Sequence, residues 1–367
     1  MLLLARDHKL ARLLGKFPWR FILRTISVTT VLQFCLTTIA LLMLKIVGIA
    51  FTDLFGDGTM IWNSLFVRNS ETGFGAYREM VVDDGLYVAD QLTETVLSVR
   101  DECEDVSSYD ALMVVHSANH HFQRRREYRD TYGNPEFTHP YRIRVVFFVG
   151  LSTDPQLTAD LRMENDLKGD TVLISHVDHY RNLTLKAVGV YRWLAESCRG
   201  AKVVLKIDDD VLLDVHRFFQ EFWPPPAHQQ DVIFCHVWPY PEVEREGKWG
   251  VPYKEFQGNV FPPYCSGFLV VVMPHLVEDI YQVARATQYL WLDDVFIYGL
   301  VREELEFVQL INLDHLAYDV KAFSHCTRRY GYRCKYWAVV LGPGEDFLAA
   351  SIHTQALRSR AIAGDEG

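Results

Sequence analysis

Apolar runs bounded by polar residues recur along the chain from about residue 110 onward. The segments ALMVVHS, YRIRVVFFVGLS, TVLISHV and AKVVLKIDDD predict strands, and FQRRREYRDTYG and LTLKAVGVYRWLAESC predict helices between them. Strands that are separated by helices favour an α/β fold with a mostly parallel sheet flanked by helices. DVIFCHVW predicts a further strand, and PPYCSGFLVVVM, LWLDDVFIYGLV and FLAASIHTQ each place a polar group beside an apolar run. Functional sites in open α/β sheets collect at the carboxyl ends of strands.

The N-terminal part has a different pattern. Residues 25–44 carry no charge, and the apolar character continues past Lys45 to Phe51, which predicts a transmembrane signal anchor over residues 25–51. Only a weak cleavage site follows, so an uncleaved anchor is favoured over a signal peptide. Six basic residues and one acidic residue precede the run, which predicts a cytoplasmic tail over residues 1–24. Residues 52–108 lack periodicity and predict a stem, part of which packs on a luminal domain over residues 109–367.

Composition narrows the class of partner and the compartment. The chain has 367 residues, 49% of them hydrophobic and 23% charged, and a net charge of −10. Because the tail is basic, the remainder carries about −15, which argues against a nucleic-acid partner. Apart from Cys35 in the predicted anchor, the cysteines are Cys103, Cys198, Cys235, Cys265, Cys326 and Cys334. An even number of cysteines in the predicted luminal part indicates disulfides, although the sequence does not determine which cysteines pair. The sequence contains no CxxC pair that would indicate a structural zinc site.

Three adjacent carboxylates, Asp208, Asp209 and Asp210, end the predicted strand VVLKI. Strand alternation points Asp208 and Asp210 to one side and Asp209 to the other. A hard divalent cation such as Mn²⁺ or Mg²⁺ takes oxygen ligands, often one or two carboxylates with phosphates completing the shell. The alternative is a solvated acidic turn in which one aspartate caps a helix through VLLDVHRFFQEF, with Lys206 as an ion-pair partner or solvated.

The motifs in order resemble the family-31 inverting glycosyltransferases, the β-1,3-galactosyltransferase group of type II Golgi proteins with a GT-A fold. The matching blocks are RRREYRDTYG, DHYRNLTLKAVGVYRWLAESC, KIDDDVLLD, KWGVPYKEFQGNVFPPYCSGFLVVV and LDDVFIYG, which together span about residues 110–300. Three positions, Tyr132, Leu212 and Asp293, differ from the residues that the family usually has there. These differences leave the acceptor preference open and, to a lesser degree, the identity of the donor.

The resemblance implies a UDP-sugar donor, most simply UDP-galactose, bound with Mn²⁺ or Mg²⁺. It implies that Asp210 ligates the metal, that Asp208 lies near the ribose or uridine, and that Asp294, beside Asp293, is the base that removes the acceptor proton. A histidine near the C-terminus would be a second metal ligand: either His353, which ends the apolar run FLAASIH and resembles the family's pattern of a strand followed by His-Gln, or His325. The residues implied in donor binding are Arg124, Arg125, Arg129, Lys206, Asp208, Asp209, Tyr264, Ser266 and Gly267.

Three further residues have both a functional and a structural interpretation. Trp249 and Trp291 could stack on a sugar, although aromatic residues are more often part of the core. Asn182 opens the N-x-S/T sequon, so it is a glycosylation candidate in a segment that could equally be structural.

The expected function is therefore transfer of galactose, with inversion, to form a β-1,3 linkage on a glycan of a glycoprotein, glycolipid or proteoglycan. The enzyme would be a single-pass type II protein of the Golgi membrane with its catalytic domain in the lumen. Three alternatives stay open: a UDP-N-acetylglucosamine or UDP-N-acetylgalactosamine transferase of the same fold, a non-catalytic luminal partner, and a metal-dependent phosphohydrolase.

Overall fold

The computed structural model describes residues 90–100, 103, 108–198, 201–223, 231–342, 344–345 and 347–363. The predicted tail, the predicted anchor and the predicted stem as far as residue 89 lie outside these residues. Within the described ranges, no helix combines the length and the apolar character that crossing a membrane requires.

The core of the fold is an eight-stranded mixed sheet, with a three-stranded sheet beside it. Strands of the large sheet follow the spatial order β1-β4-β3-β2-β5-β8-β7-β9, and those of the small sheet the order β10-β11-β6. The strands are β1 (Thr95–Leu97), β2 (Ala111–His116), β3 (Ile143–Leu151), β4 (Thr171–Val177), β5 (Val204–Asp208), β6 (Val211–Leu213), β7 (Val232–Trp238), β8 (Tyr264–Val272), β9 (Gln309–Asn312), β10 (Leu316–Ala317) and β11 (Ala338–Val340). Within the large sheet β1 and β8 run against the other strands, which confirms the mostly parallel sheet.

Helices connect and cover these strands. They are α1 (Phe122–Asp130), α2 (Pro135–Thr138), α3 (Pro155–Lys168), α4 (Leu183–Ser197), α5 (Val215–Arg217), α6 (Leu276–Ala286), α7 (Arg302–Glu304), α8 (Val320–Tyr330) and α9 (Phe347–Ala363). Two π-helical segments, Phe218–Phe222 and Val295–Val301, and three 3₁₀ turns, Asp90–Thr93, Tyr180–Asn182 and Gly331–Arg333, complete the described elements. Helices α1 and α4 confirm the two helices that the sequence predicts.

Burial explains why the central strands are apolar throughout. Every residue of β2 is buried, because β2 lies between β3 and β5 and is covered on both faces. Helix α4 buries most of its length, including Trp193, against the sheet. Disulfides join Cys103 to Cys198, Cys235 to Cys265, and Cys326 to Cys334, which resolves the pairing.

Two local predictions are wrong, and part of the predicted stem packs on the sheet. Val211–Leu213 forms strand β6, because it pairs with β11, and the following helix begins only after Asp214, whose carboxylate accepts from the Arg217 N–H. The run FLAASIH lies in helix α9 and not in a strand. Its first residue, Phe347, packs against Tyr128 of α1 and against Tyr132, which follows that helix. The described end of the stem contributes β1, which pairs with β4.

Candidate active site

The candidate site lies at one edge of the large sheet, where parallel strands end. His116 at the end of β2 pairs with Asp208 at the end of β5, so the residues that follow both strands meet at this edge. Strand β8 runs in the opposite direction, so its first residues, from Tyr264, reach the same edge. Topology therefore brings together the aspartate triplet, the loop after β2 and the start of β8.

Helix α1 holds the backbone of the aspartate turn in place. The Tyr128 hydroxyl lies 2.7 Å from the carbonyl oxygen of Asp208 and 2.5 Å from that of Val211, and Arg124 Nη1 donates to the Asp209 carbonyl at 3.1 Å. Tyr128 is fully buried, so these contacts are shielded from water. Two residues of the motif RRREYRDTYG thus hold the backbone of the aspartate triplet through hydrogen bonds.

Asp209 points away from its two neighbours, as strand alternation predicts. Its side chain is buried, and Oδ2 accepts a hydrogen bond from Ser117 Oγ at 2.6 Å and contacts His121 Nδ1 at 2.8 Å. Both partners belong to the loop after β2. The carboxylate of Asp209 therefore anchors this loop to the triplet, and the structure places it in the protein interior.

Asp210 is half-buried, and its backbone carbonyl accepts from Leu341 N–H at 2.7 Å. Burial, together with the charges of Asp208 and Asp209, raises the pKa of Asp210 to about 6, although Arg124 opposes this shift. Uncompensated carboxylate charge and oxygen donors fit a hard divalent cation.

The predicted histidine ligand has no such support. His353 on α9 and His325 on α8 are exposed. Across the described part of the chain, no group of three or more His, Cys, Asp or Glu side chains is arranged to hold a metal. A metal at Asp210 would therefore need oxygens of a bound ligand to complete its shell.

Lys206 connects the triplet with the second pair of aspartates. Its buried ammonium group donates to Asp208 Oδ1 at 2.6 Å and to the carbonyl oxygen of Gly267. The Gly267 N–H in turn donates to Asp294 Oδ2 at 3.3 Å. Burial lowers the pKa of Lys206, but the charges of Asp208, Asp293 and Asp294 outweigh it, so its pKa is raised and the lysine stays charged.

Asp293 and Asp294 carry more negative charge than their surroundings neutralise. Burial and the charge of Asp294 raise the pKa of Asp293, and Lys206 opposes this only in part. Burial likewise raises the pKa of Asp294, against the lowering effects of Lys206 and of the Gly267 N–H. A raised pKa brings a carboxylate closer to the range in which it accepts and releases a proton near neutral pH.

Two tyrosines, Tyr264 and Tyr318, are close enough to Asp294 to be affected by its charge. Ser266 hydrogen-bonds the side chain of Tyr318, whose ring packs edge-on against Phe268. The charge of Asp294 adds to burial in raising the pKa of Tyr264 and of Tyr318, the latter to about 12.

The two tryptophans that are candidates for stacking on a sugar, Trp249 and Trp291, differ in their exposure to solvent. Trp249 is 50% exposed, donates through Nε1 to the Tyr180 hydroxyl at 2.7 Å and has Lys248 Nζ 5.2 Å from its ring centroid, so part of its ring is accessible. Trp291 is buried, and the guanidinium carbon of Arg181 lies 3.8 Å from its ring centroid. Trp249 can therefore offer a stacking surface, whereas Trp291 belongs to the packed interior.

Two of the three candidate arginines are engaged by protein carboxylates. Arg125 is fully buried, pairs with Glu164 at 2.8 Å and donates to Ser117 Oγ and to the Ala118 carbonyl. Arg129 pairs with Glu164 and Asp170, each at 2.7 Å. Only Arg124 reaches the triplet, so Arg125 and Arg129 are structural residues in this arrangement.

Asn182 is half-buried, and its Nδ2 donates to the Val177 carbonyl at 2.9 Å. Thr184, the third residue of the sequon, is buried and donates to the Leu290 carbonyl at 2.7 Å. The segment therefore has a structural role, and glycosylation of Asn182 stays a prediction.

Sequence reasoning missed Ser117, His121, Tyr180 and Tyr318. Ser117 is the last residue of the predicted strand ALMVVHS, so the preference of functional sites for the carboxyl ends of strands also applies to it. Tyr180 and Tyr318 approach Asp294 only through folding, and no local pattern marks them.

Comparison with known proteins finds relatives over much of the chain. The family model described as Galactosyltransferase matches residues 123–313. Beta-1,3-galactosyltransferase 1 of Homo sapiens is 26% identical over 286 residues, 77% of this chain and 82% of that protein. UDP-GalNAc:beta-1,3-N-acetylgalactosaminyltransferase 1 of Homo sapiens is 27% identical over 236 residues, which cover 59% of this chain and 70% of that protein. Lactosylceramide 1,3-N-acetyl-beta-D-glucosaminyltransferase of Xenopus tropicalis is 27% identical over 212 residues, which cover 55% of this chain and 56% of that protein.

Among solved structures, the galactosyltransferase LgtC in complex with donor and acceptor sugar analogs covers 69% of this chain and 95% of its own. The identity is 11% and the TM-score 0.33, which is too low for a conclusion about fold or function.

Proposed function

The chain belongs to the galactosyltransferase family and is a hexosyltransferase, and from this premise we propose that it transfers galactose from UDP-galactose to a glycan hydroxyl in β-1,3 linkage. The observation that supports a sugar-transfer site most directly is the hydrogen-bonded chain from Asp208 through Lys206 and Gly267 to Asp294. It joins a carboxylate suited to the donor to one suited to the acceptor.

Asp294 would be the base of the reaction. The acceptor hydroxyl loses its proton to the Asp294 carboxylate as its oxygen bonds to the anomeric carbon of the sugar. The bond from that carbon to UDP breaks at the same time, and UDP leaves with the electron pair, so the configuration inverts. The N–H of Gly267 fixes one carboxylate oxygen, and Lys206 keeps a positive charge near it.

The other half of the site would bind the donor. Asp208 would contact the ribose and Arg124, which reaches the aspartate turn, the diphosphate, while Tyr264, Ser266 and Gly267 would line the sugar pocket. Asp210 would hold Mn²⁺ or Mg²⁺ together with the diphosphate, and such an ion, when bound, offsets the charge that develops on the UDP leaving group.

The same-family alternatives rest on one observation. Relatives named as N-acetylgalactosaminyl and N-acetylglucosaminyl transferases are 27% identical to this chain, close to the 26% of the galactosyltransferase. Identity at this level does not choose the donor, so these two sugars are the second candidates.

Localisation belongs to the proposal as well. We propose a single-pass type II protein of the Golgi membrane, with residues 1–24 cytoplasmic, 25–51 as the anchor, 52–108 as the stem and 109–367 in the lumen. The uncharged run of residues 25–44 and the three disulfides support it, because disulfides persist in oxidising compartments. The acceptor glycan would then be carried by a glycoprotein, glycolipid or proteoglycan.

The test is a donor panel with the full-length protein in detergent, measuring UDP release with and without a β-linked acceptor glycoside. We expect acceptor-stimulated release with UDP-galactose that stops on chelation and returns with Mn²⁺. Asp294→Asn should lower turnover by roughly a thousandfold, because a general base contributes on that order, while UDP still binds. Stimulated release with only an N-acetylated donor would favour the second candidates, and full activity of Asp294→Asn would exclude Asp294 as the base.

A further inference from the structure

A strongly basic surface occurs on a protein whose remaining charge is acidic. Between Asp319 and Glu345 the sequence contains no acidic residue. We define residues 320–337 as the basic segment; it contains Lys321, His325, Arg328, Arg329, Arg333 and Lys335. Since the chain beyond residue 24 carries about −15, this concentration of positive charge is local.

Both ends of the basic segment are fixed at the candidate active site. The chain leaves the site at Tyr318, which contacts Ser266 and Phe268, and enters α8 two residues later. It returns through β11, and the next residue, Leu341, donates to the backbone carbonyl of Asp210. The disulfide between Cys326 and Cys334 closes the far end. The segment is therefore a rigid extension of the site.

The arginines at the far end of α8 are available to a ligand. Arg328, Arg329 and Tyr330 are exposed, Tyr330 to 54%. Arg328 Nε donates to the Ser324 carbonyl at 3.2 Å, and the Arg329 guanidinium carbon lies 5.5 Å from the Tyr330 ring centroid. Among the described residues, neither arginine forms an ion pair with a carboxylate.

Neighbouring acids do not cancel this charge. The charges of Asp214 and Glu221 act on Tyr332, and both acids contact Arg217: Asp214 Oδ1 accepts from its N–H at 3.2 Å, and Glu221 pairs with its guanidinium group at 2.9 Å. Asp319 lies at the opposite end of α8, where its side chain accepts from the Lys321 N–H. Eleven residues of α8 separate the two ends by about 16 Å.

The chemistry favours an anionic glycan over other polyanions. Guanidinium groups bind sulfate and carboxylate through paired hydrogen bonds, and an exposed tyrosine beside them offers a face for a sugar ring. Three disulfides indicate an oxidising compartment, where nucleic acid is not the expected partner. Anionic lipid headgroups concentrate on the cytoplasmic leaflet, so a luminal surface would meet few of them.

We propose that the basic segment binds the sulfated or carboxylated part of the glycan acceptor, at a distance from the hydroxyl that reacts. Binding of an anionic glycan follows from the surface itself, whereas its identity as the acceptor rests on the proposed function. Exposed charge pairs predict an affinity that falls steeply with salt.

The first experiment measures binding of a fluorescent heparin octasaccharide to the full-length protein in phosphatidylcholine nanodiscs, without donor. The double variant R328E/R329E should bind at least about tenfold more weakly, because two attractive charge pairs are replaced by repulsive ones. The matched control is R162E/K168E, which makes the same charge change at two exposed positions on α3, where Glu164 and Asp166 intervene. The control should bind within roughly twofold of the unmodified protein.

Two outcomes would overturn the proposal: equal losses in both double variants, or binding by R328E/R329E that matches the unmodified protein. Sedimentation with phosphatidylcholine and phosphatidylserine vesicles forms a separate arm. Vesicle binding that depends on Arg328 and Arg329, without binding of the octasaccharide, would assign the surface to lipid and also reject the proposal.

Turnover of a neutral acceptor separates this proposal from the proposed function. R328E/R329E should retain it, which also shows that the variant is folded, and should lose turnover only on an acceptor that carries sulfate or carboxylate. If the unmodified protein turns over no acceptor, the proposed function fails while the binding experiment still decides the role of the basic segment.

Discussion

The two sides of the candidate site treat charge differently. Around the loop after β2, the buried charges have protein partners: Asp209 binds Ser117 and His121, and Arg125 binds Glu164. On the side of β8, Asp293 and Asp294 are stabilised by Lys206, which also donates to Asp208, and burial raises the pKa of both. Paired charges fix a geometry, whereas unbalanced carboxylates are suited to proton transfer, so the first side is scaffold and the second is chemistry.

The strongest way to break this comparison is to remove a paired charge. Arg125→Met removes one of the two arginines that pair with Glu164 and the donor to the Ala118 carbonyl, which should lower the free energy of unfolding by about 3 kcal/mol. Arg124→Met, one residue away and half-buried, should leave the stability within about 1 kcal/mol and weaken UDP binding instead. Denaturant unfolding and UDP calorimetry measure the two effects, and similar stability losses in both variants would contradict the division.

Two glycines sharpen the comparison at a smaller scale. A Cβ on Gly150, at the end of β3, would lie 2.6 Å from His176 Nε2 and 2.9 Å from its carbonyl oxygen, so Gly150→Ala should cost about 2 kcal/mol of stability. A Cβ on Gly267 would lie 3.4 Å from Lys206 Nζ and 3.5 Å from Asp294 Cβ, which is ordinary contact.

Gly267→Ala should therefore keep its melting temperature but lower turnover about tenfold, because the methyl group occupies space beside the proposed base. Thermal unfolding and steady-state kinetics, run on both alanine variants, compare the two positions. A stability loss at Gly267 as large as that at Gly150 would assign Gly267 to packing.

The smallest expected effect is on the pH dependence. The charge of Asp294 raises the pKa of Asp293, so the two carboxylates repel each other, and Asp293→Asn should move the acid limb of the pH–rate profile down by about one unit. Lys206→Met should move the acid limb to higher pH, because Lys206 stabilises the charged carboxylates and lowers their pKa. Shifts in the same direction in both variants would contradict these assignments.

The same pKa shifts have a consequence for stability. A carboxyl group whose pKa is raised on folding binds more protons in the native state, so stability falls as pH rises from the ordinary pKa towards the raised one. Asp293→Asn removes that loss. The variant should be about 1 kcal/mol more stable than the unmodified protein at neutral pH, as measured by urea unfolding.

The strands and long helices could be predicted because burial imposes a local pattern. Strand β2 is apolar at almost every position since it is covered on both faces, and α4 has the spacing of a buried helix. Errors arose where tertiary pairing overruled that pattern: β6 is a strand because β11 lies beside it, and FLAASIH is helical because Phe347 packs on α1.

The sequence by itself determined the type of sheet, the aspartate triplet at a strand end and the family resemblance, because each depends on residues that are near one another in the chain. Only the tertiary structure decided which charges are paired. Arg125 and Arg129 read as ligand-binding residues until Glu164 and Asp170 are found beside them, and Tyr318 gains its position by contact with Ser266. Long-range contacts set the burial and electrostatic environment of each group, and that environment separates scaffold from chemistry.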